Sequence, residues 1–226
     1  MNRLIKSKYL FLTLIIFLVS TFFSSISPAH AQNLNHETSA AGGFNSQFNG
    51  SMAGWASMGS VKMDVNSKYL YTNGVTGYWG QAYRNTGQFS NYTYTVMMKR
   101  LFDQNSPNCL FVHMGTSLVK DKNLWYPGYA FCYRNYGWYG IFRRAAGGGT
   151  VVIQGWTKTP DIAVMGWNKL KVVTSSTSFK FYINDKLQKS FSDTHRTKGY
   201  VGIGCFDNGV YREQLRVDWA TLTTTY

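Results

Sequence analysis

Period-two alternation runs through this chain, and past residue 31 helical spacing is almost missing from it. In Phe179-Lys180-Phe181-Tyr182-Ile183 the odd positions are apolar. In Trp167-Asn168-Lys169-Leu170-Lys171-Val172 the inward positions are Leu170 and Val172, and in Tyr200-Val201-Gly202-Ile203-Gly204-Cys205 they are Val201, Ile203 and Cys205. Residues two apart share a face only in extended chain, so each run predicts a half-buried strand. Gly, Asn, Ser and Thr punctuate short runs rich in Val, Ile, Tyr, Phe and Thr, which reads as all-β. The spacing predicts strands at Gly43–Phe48, Lys68–Thr72, Gly80–Tyr83, Tyr92–Leu101, Cys109–Met114, Tyr129–Arg134, Trp138–Arg144 and Val151–Trp156. The series continues with Asn168–Thr174, Phe179–Asn184, Lys186–Ser192, Tyr200–Phe206 and Gln214–Thr221. Strands this short and numerous predict two stacked sheets. Asn184-Asp185, between two strand patterns, fits a two-residue hairpin turn.

The N-terminus reads as a targeting segment. Arg3, Lys6 and Lys8 precede the apolar run 9–19, and small residues lead to Ala29-His30-Ala31. That is a secretory signal peptide with cleavage after Ala31. The expected organisation is a signal peptide over 1–31, a flexible polar lead-in over 32–41 and one sandwich domain over 42–226. No later stretch reaches the roughly 20 apolar residues of a membrane-spanning helix. The expected location is therefore secreted or periplasmic. Export permits disulfides, but Cys109, Cys132 and Cys205 are an odd number. Cys109 and Cys132 lie in consecutive strands and either pair or remain buried thiols. Alternation places Cys205 in the core.

Net charge is +13. Removing the three signal-peptide charges leaves about +10 on the mature chain. Pairs such as Lys99-Arg100 and Arg143-Arg144 are scattered. Such a surface fits acidic polysaccharide, lipid headgroups or general solubility. Export and dispersed charge argue against nucleic acid as a partner.

Three stretches together resemble one family: "SNYTYTVMMKR" (90–100), "GWNKLKVVTSSTSFKFYINDKLQKSF" (166–191) and "KGYVGIGCFDNGVYREQLRVDWATL" (198–222). The family is the concanavalin A-like lectin/glucanase superfamily, in its laminin G-like branch. The carriers are Trp167-Asn168-Lys169-Leu170-Lys171-Val172, Ile183-Asn184-Asp185, Gly199-Tyr200-Val201-Gly202-Ile203 and Val217-Asp218-Trp219. Asp185 stands where a turn glycine is usual, and Trp219 where an asparagine is. The resemblance implies an antiparallel jelly-roll sandwich of two curved sheets, whose concave outer face and rim loops commonly hold carbohydrate. The resemblance does not fix the parity of the strand Trp138–Arg144; one of its sides must be core, and the expectation is Tyr139 and Ile141 inward, with Trp138 and Phe142 toward that groove.

Chemistry narrows the function. Glycoside hydrolysis uses two flanking carboxyl groups, and the superfamily's glucanases carry E-x-D-x-x-E. This chain has only Glu37 and Glu213 as glutamates and no such motif. A lyase would use a tyrosine and a histidine, and His113, His195, Tyr129 and Tyr133 are the candidates. The resemblance brings calcium into question as a cofactor: Asp207-Asn208-Gly209 and Asp103-Gln104-Asn105 offer oxygen ligands, and both are equally good turns. Sugar binding needs flat rings and planar polar groups. Trp125, Tyr126, Tyr133, Tyr136, Trp138 and Phe142 supply rings, while Arg134, Asn135 and Arg144 supply donors, with arginine suited to uronate or sulfate. The expected function is non-catalytic recognition of a polysaccharide or cell-surface glycan. The alternatives are a structural or adhesive protein-binding module, or a carbohydrate-active enzyme without the paired-glutamate motif.

Overall fold

Among the described residues alternation builds fifteen strands: β1 (Gly43–Ser46), β2 (Trp55–Gly59), β3 (Lys62–Val65), β4 (Leu70–Asn73), β5 (Trp79–Arg84), β6 (Asn91–Arg100), β7 (Asn108–Met114) and β8 (Gly128–Arg134). They are followed by β9 (Trp138–Arg144), β10 (Thr150–Lys158), β11 (Trp167–Ser175), β12 (Ser178–Ile183), β13 (Lys186–Ser192), β14 (Tyr200–Phe206) and β15 (Leu215–Thr224). The computed structural model describes residues 42–75, 77–102, 105–115, 127–145 and 148–225, and none of these is helical. No helix among them is long and apolar enough to cross a membrane. Three predicted strands, β9, β13 and β14, fall on their expected bounds. β2 and β3 escape the sequence reading, because Trp55–Val65 interrupts its apolar residues with Gly59 and Ser60 and holds few β-branched side chains.

Two antiparallel sheets result. The first runs β13-β12-β11-β6-β15-β4-β3, with β1 also paired to β15. The second runs β10-β9-β8-β7-β14-β5-β2. β1 and β15 lie side by side in register, Phe44 opposite Leu222. Asn184 and Asp185 both take positive φ, 48° and 66°, as a type I′ hairpin turn requires.

The core lies between the sheets, and parity decides what enters it. β6 sends in Tyr92, Tyr94, Val96 and Met98, β11 sends Leu170 and Val172, and β12 sends Phe179, Phe181 and Ile183. The second sheet answers with Leu110, Phe131, Ile141, Val201, Ile203 and Cys205. Phe179 and Phe191 stack at 5.0 Å between ring centres, and Phe131 lies 4.8 Å from Phe181. Burial pushes the Cys205 thiol up to about 11, so it stays protonated and packs as a small hydrophobe.

One inward residue corrects the sequence reading. Arg100, grouped there with Lys99 as surface charge, is fully buried at the end of β6. Its guanidinium donates to Asn108 Oδ1 at 3.0 Å, Gln214 Oε1 at 2.6 Å and the Phe206 carbonyl at 3.0 Å. It thereby ties β6 to the second sheet and to the segment entering β15.

Candidate functional site: the ring layer on the second sheet

Strands β7 and β8 are buried along nearly their whole length on both faces. Such strands build two apolar layers. One is the shared core; the other lies on the outer face of the second sheet. That outer layer centres on Cys109, Phe111, Met114, Ala130 and Cys132, with Met58, Trp79, Tyr83, Phe142, Trp156 and Tyr200 packed around them and partly exposed.

Register arranges the layer in rows across the strands. Gly140, Cys132, Cys109, Gly204 and Gln81 lie opposite one another on β9, β8, β7, β14 and β5. Phe142, Ala130, Phe111, Gly202 and Tyr83 form the next row. In the second row rings alternate with small residues strand by strand, while the first row holds no ring. The small residues make room for rings lying over them: a Cβ on Gly140 would sit 2.8 Å from the Phe142 ring and 3.2 Å from Trp156. On Gly204 it would sit 2.9 Å from Phe111. Cys109 and Cys132 are bonded as a disulfide across β7 and β8 in the first row, which decides between the two cysteine arrangements left open by the sequence.

The partly exposed rings form pairs at aromatic contact distance. Phe142 and Trp156 are 5.4 Å apart, Tyr83 and Tyr200 5.8 Å, and Trp79 and Phe206 5.8 Å. The Arg134 guanidinium lies over Trp156, 3.8 Å from its ring centre, a cation–π contact. The face thus combines partly exposed rings with a guanidinium.

The sequence-named residues divide. Tyr139 and Ile141 enter the core, while Phe142 joins the outer layer. Trp138 is exposed at the start of β9 and faces the same way, and Arg144 shares that parity but is buried. Arg134 belongs to the layer. Tyr136 is exposed in the β8–β9 turn. Two assignments are corrected. Tyr133 lies fully buried between the sheets, where its hydroxyl accepts from Asn108 Nδ2 at 3.2 Å; odd positions of β8 point inward. Asn135 is buried too, donating to the Arg100 carbonyl at 3.2 Å, and so shapes the turn. Trp125 and Tyr126 lie outside the described residues. Trp79, Tyr83, Trp156 and Tyr200 went unnamed. The outward glycines of β14 give no signal for them, since Met114 lies over position 202 and Gln81 and Phe111 lie over position 204.

Of the acid–base candidates, His113, Tyr129 and Tyr133 are packed into the core. His113 is buried, its Nδ1 2.9 Å from the Arg196 carbonyl oxygen and its Nε2 3.3 Å from that of Ser90. Rings of Tyr92, Tyr129 and Phe179 surround it. Burial lowers its pKa below the usual 6.5, and burial raises Tyr133 to about 12. His195 is exposed. Because the unfolded chain takes up a proton at higher pH than folded His113 does, stability should be complete above pH ~6.5 and decline as pH falls below it. The expected slope is at most about 1.4 kcal/mol per pH unit. Urea unfolding between pH 7 and 5 should show this slope in the natural chain and lose most of it in His113→Gln.

Asp207, a possible calcium ligand, works as a turn residue. One carboxylate oxygen accepts from Gly77 N at 3.3 Å and the other from Gly209 N at 3.0 Å and from Gln214 Nε2. Residues 103 and 104 lie outside the described residues. Among the described residues no three His, Cys, Asp or Glu gather as a metal-binding group.

No protein-family model matches the chain, and no curated protein matches it. Solved structures do. A Bacillus licheniformis beta-glucanase aligns at TM-score 0.62 and 12% identity, covering 81% of this chain and 99% of that one. The carbohydrate-binding module CBM66 from Bacillus subtilis aligns at TM-score 0.53 and 18% identity, covering 73% and 92%. The carbohydrate recognition domain of Emp47p aligns at TM-score 0.56 and 10% identity, covering 81% and 95%. These likenesses establish the fold as the concanavalin A-like jelly-roll sandwich that the residue patterns resemble.

Proposed function

We propose that this chain is an exported, non-catalytic carbohydrate-binding domain that holds a polysaccharide or cell-surface glycan on the outer face of its second sheet. The observation that carries the reading is the second apolar layer: partly exposed rings on the outer face of the second sheet, with Phe142 and Trp156 packed over Gly140. Indole and phenyl rings there can stack on the C–H faces of a pyranose, with the Arg134 guanidinium adding positive charge beside Trp156. The fold shared with a carbohydrate-binding module, a carbohydrate recognition domain and a glucanase supports the same class of ligand. The non-catalytic reading rests on chemistry: the outward residues of β5, β7, β8, β9 and β14 include no carboxylate, whereas glycoside hydrolysis by the usual route needs two. Export with cleavage after Ala31 belongs to this reading, and the Cys109–Cys132 disulfide supports it, because such bonds persist in oxidising compartments.

Affinity electrophoresis against neutral polysaccharides tests the proposal. A β-glucan, a xylan or a fructan should retard the chain. Trp156→Ala should weaken that retardation about tenfold, roughly 1.4 kcal/mol, and Phe142→Ala comparably. Trp219→Ala, on the first sheet, should leave it unchanged. If no glycan retards the natural chain, or if the variants alter thermal stability alone, the proposal fails.

A further inference from the structure

The first sheet has an outer face of a different kind. β6 and β11 alternate strictly, so every second residue points away from the core. Those positions include Lys99, Lys169 and Lys171, and β12 adds the exposed Lys180. Register places the four on three neighbouring strands: Trp167 opposite Lys99, Lys171 opposite Tyr182, and Lys180 opposite Val173. Strands lie about 4.8 Å apart and successive outward positions about 6.8 Å along them. Sequential neighbours in this array therefore lie about 7–8 Å apart at their backbones, within a Debye length of about 10 Å at 0.1 M, while Lys99 and Lys180 at its ends are about 22 Å apart, a span that an extended polymer chain bridges.

Two of the four are fixed. Lys169 Nζ lies 2.5 Å and Lys171 Nζ 3.5 Å from the carboxylate of Asp185, the residue of the β12–β13 turn. The Lys171 ammonium also lies 4.4 Å from the centre of the Tyr182 ring. One carboxylate shared between two lysines leaves the group with a net positive charge of about three. Half-buried rings, Trp167 and Tyr182, interleave with the ammoniums. A sugar chain carrying a carboxylate on each ring fits rings and ammoniums so placed. An anionic bilayer could also use such rings, so the salt and vesicle arms of the test below separate the two.

We propose that the outer face of β6, β11 and β12 is a second, independent binding surface, selective for anionic polysaccharide of the polyuronate class, with Lys99 and Lys180 supplying the open charges. It shares no residue with the ring layer on the second sheet.

Polygalacturonate and its fully methyl-esterified form are the probes, in affinity electrophoresis and in titrations at increasing salt. The natural chain should bind the acid form at low salt, lose most of that binding by 0.5 M NaCl, and bind the ester weakly. Lys99→Gln with Lys180→Gln should weaken polygalacturonate binding about tenfold, roughly 1.4 kcal/mol. Trp156→Ala should leave it unchanged. The control is Lys68→Gln with Lys198→Gln, two exposed lysines outside these strands, which changes net charge equally and should have little effect. The proposal is overturned if the control pair weakens binding as much as the test pair, because net charge alone then accounts for it. It is also overturned if the ester binds like the acid, or if anionic vesicles are captured through Lys99 and Lys180 while polygalacturonate is not. Failure of the neutral-glycan assays with these results intact would sink the ring-layer reading and leave this one standing.

Discussion

Arg100→Met should lower stability by about 3–5 kcal/mol, while Lys99→Met, one residue earlier, stays within about 0.5 kcal/mol. Parity separates the two. Lys99 faces solvent from β6, and Arg100 enters the interior. There its guanidinium serves Asn108, Gln214 and the Phe206 carbonyl, and Pro107 O lies at 3.4 Å. Each buried acceptor left without a donor costs about 1–3 kcal/mol. Removing a desolvated charge offsets part of that loss, and entering water recovers more, so the net falls below the simple sum. Arg100→Lys keeps the charge but loses the planar fork that reaches several acceptors at once, and should recover less than half the deficit. Urea denaturation midpoints with unchanged slope would report it. Equal midpoints for Arg100→Met and the natural chain would show that these contacts are dispensable.

The second large effect concerns the disulfide. Replacing Cys109 and Cys132 together by alanine should cost about 3 kcal/mol, the value expected when a bond across 23 residues no longer restricts the unfolded chain. β7 and β8 remain paired in the native state, so the loss should appear mainly as a lower unfolding midpoint. Reduction of the natural chain under denaturant should shift its midpoint to that of the double variant. Coincident midpoints for oxidised chain and double variant would remove the disulfide from the account of stability. Because both cysteines sit beneath the ring layer, glycan retardation by the double variant at low temperature also reports whether the layer keeps its form without the bond.

How much of this was legible in the sequence depended on contrast between the two faces of each strand. β6, β11, β12 and β14 announce their inward residues, because solvent lies on the other side or glycine occupies it. Tyr133 was misassigned for the opposite reason. On β8 both faces are apolar, so alternation carries no information, and a tyrosine bound for the core looks like a tyrosine bound for the groove. Asn135 failed similarly: a polar side chain in a turn reads as exposed, whereas this one caps the end of β6 through the Arg100 carbonyl. Arg100 is invisible as a core residue because its partners come from residues 107, 108, 206 and 214, brought together by sheet pairing alone. The ring layer was half legible. Phe142, Trp138 and Arg134 were named, but Trp79 and Tyr83 lie on β5, Trp156 on β10 and Tyr200 on β14, far apart in sequence, and only the register gathers them.

The pairing of β1 with β15 has a consequence for how the chain could be rewired. Residues 43–46 and 220–223 are hydrogen-bonded neighbours, so a short linker joining the two ends of the folded portion would span little more than a hairpin turn. New termini could then open at an exposed tip such as Ser175–Ser178 without breaking a sheet. A rearranged chain that refolds to the same two layers would mark this sandwich as a module whose starting point along the backbone is arbitrary.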